Sequence, residues 1–244
     1  MKRFIINWVL FFLSLAIAAF CAYEIFAFYG NEPLNALYVV VMVLSFPVLS
    51  LLHELGHMLF GALVKIKAVP DLNKKVVFGS ASCTVVPKTD KGLKGRIIFT
   101  ASGGLFVNLL FIALGVVALF VPAVPVAISI CVLPASFYLF ALNVAPIQLD
   151  GGKTDGLVIY ELIKNSDSAK VTLAVLTVQA QVLNGKKIEE TDENLLFGLP
   201  VIQEDDPAFI SLTELRYEYC KAKGDTEQAE KYKERLEQLK EYLN

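Results

Sequence analysis

Residues Ile97–Leu149 read IIFTASGGLFVNLLFIALGVVALFVPAVPVAISICVLPASFYLFALNVAPIQL, 53 consecutive positions without an Asp, Glu, Lys, Arg or His. A bilayer crossing takes about 20 apolar residues as a helix, so this stretch holds two, and Pro122 and Pro125 break the chain between them. Two further apolar runs precede it. The expectation is an α-helical membrane protein with about four transmembrane helices: Phe4 to Tyr29, Leu34 to Val64, Ile97 to Val121 and Val124 to Ala145. Across the 244 residues 55% are hydrophobic and 19% charged, against about 45–50% and about 25% in soluble domains. The excess is regional. Residues 1–150 hold 10 Lys or Arg and 6 Asp or Glu, whereas residues 151–244 hold 12 and 18. A greasy front therefore precedes a solvated tail.

The loop from Lys65 to Arg96 carries eight basic residues and two Asp, while the Gly30–Pro33 and Val121–Val124 links carry no Lys or Arg. By the positive-inside rule that loop is cytoplasmic, and with it both termini of a multi-pass protein of the cell membrane. Met1-Lys2-Arg3 before the first apolar run reads as the start of a retained span rather than a cleaved leader. Neither half carries a basic stripe with interleaved aromatics, so nothing suggests a nucleic-acid partner. Cys21, Cys83, Cys131 and Cys220 are scattered singly, without the spacing of a disulfide framework or a cysteine zinc site.

Within the basic loop, Lys75–Pro87 is rich in β-formers with Gly79-Ser80 placed for a turn, which predicts a short cytoplasmic-side β-hairpin. After Asn165 the pattern becomes helical. Leu212–Lys221 and Thr226–Tyr242 around Lys223-Gly224-Asp225 predict a helical hairpin resembling one tetratricopeptide repeat, or an ordinary amphipathic pair. The chain divides accordingly into an N-terminal transmembrane helix (1–30), a catalytic membrane core (31–165) and a small helical cytoplasmic C-terminal domain (166–244).

The second span contains His53-Glu54-Leu55-Gly56-His57. Histidines at i and i+4 project from one helix face and can share one Zn²⁺, with the intervening Glu placed to take a proton from water. These are the only histidines in the chain, and they stand in an apolar helix where ionisable groups are costly and default to function. With no third His, a carboxylate must complete a three-ligand catalytic zinc site. The motif lies 8–12 residues before Lys65, about 12–18 Å from the cytoplasmic end at 1.5 Å per residue. The fourth span runs in the same direction and returns to that level at Asn143-Val-Ala-Pro146-Ile-Gln-Leu-Asp150-Gly-Gly-Lys-Thr-Asp155-Gly156.

With these motifs in this order, the chain resembles the site-2 protease family of intramembrane zinc metalloproteases. The resemblance covers about Leu34 to Lys164 and rests on His53–His57, on Gly103-Gly104-Leu-Phe-Val-Asn108, and on Asn143-x-x-Pro146 with the Asp-Gly that follows. The family usually has Gly-Pro where this chain has Gly103-Gly104, and its Leu-Asp-Gly falls eight residues after the Asn. Here Asp150 is seven after and Asp155 twelve. Asp150 matches the literal Leu-Asp-Gly string. Asp155-Gly156 precedes the apolar helical run Leu157–Ile163, and is similar to a bacterial subgroup with Gly-Gly in the third span, a late Asp-Gly ligand and a helical tail. Asp155 is the favoured third ligand and Asp150 the alternative.

The resemblance implies hydrolysis of a peptide bond in or near the transmembrane segment of a membrane-anchored protein substrate, with one zinc per chain. Glu54 would be the general base, Asn143 would help hold substrate, and Asn108 would support the site or join helices. Two other readings fit the sequence: a zinc-dependent membrane scaffold whose cytoplasmic tail recruits a protein partner, and a membrane peptidase acting on soluble peptides. The intervening Glu54, which structural zinc does not need, weighs against the scaffold, and the burial of the motif weighs against the peptidase.

Overall fold

The computed structural model describes residues 34–71, 82–121, 126–149 and 152–243, together with residues 12, 16, 19, 20, 23 and 27. Those six positions are helical; the rest of the expected span Phe4–Tyr29 lies outside the described residues. From residue 34 the elements run α1 (Leu34–Leu63), β1 (Ile66–Asp71), β2 (Ser82–Pro87), α2 (Leu93–Ala118), α3 (Val126–Val144), β3 (Gln148–Leu149), β4 (Gly152–Lys153), α4 (Asp155–Lys164), α5 (Asp167–Leu183), α6 (Pro207–Lys223) and α7 (Thr226–Leu243). Two 3-10 turns, Ile188–Glu190 and Glu193–Leu195, separate α5 from α6. The protein is mostly helical with little sheet. Two of its helical stretches, Val40–Leu63 and Leu93–Ala118, are long and apolar enough to cross a membrane, and Val132–Val144 is a shorter apolar helix.

β2 pairs with β1, so the strand expected within Lys75–Pro87 finds its partner earlier in the chain than the proposed turn implied. Gly79-Ser80 lies outside the described residues. The alternation that identifies β1 is short: Ile66 and Ala68 are buried while Lys67 and Val69 are exposed, the period-2 pattern of a half-buried strand. α2 begins at Leu93, before the apolar run, because Lys94 and Arg96 are good helix formers that extend it by a turn.

The described chain forms two compact units, one of residues 1–60, 69–84 and 100–157, the other of residues 61–68, 85–99 and 158–244. The core of the first packs Phe46 and Leu49 of α1 against Ala135, Tyr138, Leu139 and Leu142 of α3, with the Phe46 and Tyr138 rings edge to face at 5.9 Å. Glycines bring its backbones together. A Cβ on Gly56 would stand 2.5 Å from the Gly103 carbonyl oxygen, and one on Gly115 would stand 2.7 Å from Leu133. Only glycine permits such approach of α2 to α1 and α3.

The second unit has two apolar clusters. Ile66, Leu93 and Ile97 pack with Leu162, Ala169 and Leu176, and Val171, Val175, Val178 and Leu196 pack with Leu212, Leu215 and Ala229. Its helices carry explicit end signals. Ser166 caps α5 by accepting from the Ala169 N–H, Asp206 caps α6 by accepting from the Ala208 N–H with Pro207 in the first turn, and Gly224 ends α6 in the left-handed region at φ 79°. The expected C-terminal helical hairpin is present as α6 and α7.

Candidate metal centre

His53, Glu54 and His57 are almost fully buried on α1, at 4%, 3% and 4% exposure. Helical spacing puts the two rings one turn apart, and their centroids are 4.7 Å from each other. Their Nε2 atoms face one another at 3.1 Å. Asp155, the first residue of α4, adds its carboxylate: Oδ2 is 3.2 Å from His53 Nε2 and Oδ1 is 3.3 Å from His57 Nε2. These three residues could hold a metal ion. A tetrahedral ion with bonds of about 2.0–2.1 Å separates its ligand atoms by about 3.3 Å, so the spacing already observed suits one.

The outward-facing nitrogens support the same conclusion. His57 Nδ1 lies 2.9 Å from the Thr100 carbonyl oxygen. A carbonyl only accepts, so Nδ1 carries the proton and the lone pair is left on Nε2, pointing into the cluster. His53 Nδ1 lies 2.9 Å from Asn108 Nδ2, while Asn108 Oδ1 is buried without a partner. The two ends of an amide have the same shape, and turning it over places Oδ1 on His53 Nδ1–H. That orientation satisfies the orphaned oxygen and frees His53 Nε2 for a metal. Asn108, fully buried at 0% exposure, thus supports the site by orienting a histidine.

The supporting atoms come from one face of α2, at residues 100, 104 and 108. Thr100 meets His57 and Asn108 meets His53, so the two helices run antiparallel past each other. Between them, a Cβ on Gly104 would stand 2.5 Å from His53 Nε2 and 2.6 Å from His57 Nε2. Any side chain there would occupy the place where the ligand atoms converge. Gly-Gly in this helix is therefore two separate requirements: Gly103 for backbone contact with α1, and Gly104 for space at the nitrogens.

Asp155 reaches the histidines because α4 starts tightly against the end of α3. A Cβ on Gly156 would run into the Val144 carbonyl, which explains glycine after the aspartate. The carboxylate sits in the first turn of α4, where the helix dipole favours negative charge.

Among the other expected site residues, Glu54 has its Oε2 buried with no partner, the condition of a carboxylate left available. Asn143 is half-buried near the end of α3 with its Nδ2 donating to the Leu139 carbonyl at 2.9 Å. Its backbone carbonyl abuts Gly156. Asp150 lies outside the described residues. Two contributors escaped the sequence reading. Thr100 acts through a backbone carbonyl, which leaves no residue-type signal, whereas Thr154 does carry one, a Thr directly before a helix that starts at Asp155. No family model, curated protein or solved structure matches this chain.

Proposed function

We propose that this protein is an intramembrane zinc metalloprotease of the site-2 protease kind, hydrolysing a peptide bond in or near the transmembrane segment of a membrane-anchored protein. The observation that carries the reading is the convergence of His53, His57 and Asp155 beside a buried, unpartnered Glu54 oxygen. Two nitrogens and one carboxylate at tetrahedral spacing, with no thiolate, suit zinc, and three protein ligands leave a position open for chemistry. A zinc ion held there would supply Lewis acidity, polarising a peptide carbonyl and making water a nucleophile near neutral pH.

The residues of the chain do the rest. Glu54 accepts a proton from the attacking water and returns it to the leaving amine. Thr100 and Asn108 hold the two imidazoles in the ligating tautomer. Asn143, at the end of α3, is the residue that would steady substrate beside the site. The membrane setting is supported by the surface of α1 and α2: Val48, Leu59, Phe106 and Val117 are each more than half exposed while the polar residues point inward. Such apolar exposure in a soluble monomer would be a large liability. In this reading four spans cross the bilayer, with both termini and the basic loop on the cytoplasmic side.

Glu54→Gln tests the assignment. The amide keeps the shape and the helix but cannot take a proton, so zinc content is expected to stay at one per chain while cleavage of a transmembrane substrate falls by roughly 10²–10⁴-fold. Undiminished cleavage by the variant would refute the role of Glu54, and equal zinc in wild type and His57→Ala would refute the metal centre.

A further inference from the structure

The third ligand comes from a different kind of support than the first two. His53 and His57 are fixed by a long helix, whereas ten residues, Ala145 to Thr154, separate the end of α3 from Asp155. Among the described residues this connection makes a two-pair ladder, Gln148 with Lys153 and Leu149 with Gly152. A loop of that length leaves its end many alternative positions unless something closes it. One hydroxyl takes part in the closure at three points.

Thr154 is buried, at 4% exposure. Its Oγ1 donates to the Ala145 carbonyl at 2.6 Å and accepts from the Leu157 and Ile147 N–H groups, both at 3.3 Å. A hydroxyl has one proton and two lone pairs, so these three bonds use its whole capacity. The Ile147 carbonyl at 3.0 Å offers a second acceptor for the same proton, and the Thr154 N–H donates to that carbonyl at 3.2 Å. The side chain therefore joins the end of α3, the start of the small ladder and the first turn of α4. Asp155 is the next residue.

We propose that Thr154 is a positioning residue, a latch that holds Asp155 within ligand distance of His53 and His57. The inference rests on the metal centre proposed above and deepens it: the ligand that completes the site is set by a hydroxyl that never touches the metal. A threonine serving only as a helix cap would need the Leu157 bond alone. The bonds to Ala145 and Ile147 point away from α4, to the segment against which α4 must be placed.

The test uses the full chain purified in detergent, loaded with Zn²⁺ or Co²⁺ in competition with a chromophoric chelator, with helicity and thermal unfolding followed in parallel. Thr154→Val preserves the shape and removes all three bonds. It is expected to lower metal affinity by roughly 10–100-fold, the range for losing an outer partner of a metal ligand. Its helical content should stay that of the wild type. The visible spectrum of the Co²⁺ form should change with loss of the carboxylate, a readout that a merely structural role would leave alone. Thr154→Ser, which keeps the hydroxyl, should restore both affinity and spectrum. Thr154→Ala carries the same expectation as valine without its branched bulk, and settles the matter if Thr154→Val does not fold. Wild-type affinity and spectrum in Thr154→Ala, with metal lost in His57→Ala, would overturn the latch and leave the metal centre standing. Metal binding that is the same in wild type and His57→Ala would overturn the centre and the latch with it.

Discussion

Both units bury apolar side chains, and they differ in the polar groups buried beside them. Of the buried polar residues among those described, Ser50, His53, Glu54, His57, Thr100, Asn108, Ser129, Ser136 and Thr154 belong to the first unit, and only Thr191, Asp206 and Thr213 to the second. The first unit turns Val48, Leu59, Phe106 and Val117 outward, whereas the second buries Val171, Val178 and Leu196 completely and exposes pairs such as Lys231–Glu227. The second unit has an apolar core of the kind stabilised by removing apolar surface from water. In the first, helices touch through glycines and converge on polar atoms. Substitutions should therefore act differently: in the first unit through space and hydrogen-bond geometry at the cluster, in the second through lost apolar burial.

Gly104→Ala is the sharpest way to break this contrast, and after Glu54→Gln it carries the largest expected effect. One methyl group would stand within 2.6 Å of both ligand nitrogens, so metal should be lost although every ligand is retained. Metal analysis of the purified variant checks this; a full complement of metal would show that α1 and α2 can separate at no cost. Leu196→Ala should do the opposite. Leu196 is fully buried in the second unit, and truncation there should cost about 2–5 kcal/mol of that unit's stability while metal content stays unchanged. Denaturant unfolding followed by far-UV circular dichroism, with zinc measured on the same sample, separates the two. The smallest effect belongs to Gly224→Ala. Its φ of 79° is left-handed, and a Cβ there should cost about 1 kcal/mol, visible as a modest drop in the melting temperature of the second unit. A drop as large as that for Leu196→Ala would mean that the α6–α7 turn contributes as much to that unit as the buried Leu196 side chain.

Leu162, Ala169 and Leu176 share a cluster with Ile66, Leu93 and Ile97, so the helices after Asn165 fold together with residues from the basic loop. No run of composition announces this, because Leu162, the first of the later group, stands 65 positions after Ile97, the last of the earlier one. β1 was missed for a related reason: four alternating residues between a helix end and Pro70 are too few for a period to stand out.

The sequence by itself determined the apolar helices and set His53 and His57 one turn apart on one helix face, with Glu54 between them in the chain, because a helix of 3.6 residues per turn fixes which side chains are neighbours before any tertiary contact forms. The need for a carboxylate ligand left two aspartates as candidates, and the resemblance to a known family, rather than the residues alone, marked Gly103-Gly104, Asn108 and Asn143. Tertiary structure alone decided what these do. Asp155 reaches the histidines through a turn closed by Thr154 and Gly156, where no period links residues to one another. Asn108 and the Thr100 carbonyl meet rings 55 and 43 positions away in the chain, and only the antiparallel passage of α2 beside α1 could say which nitrogen each would hold.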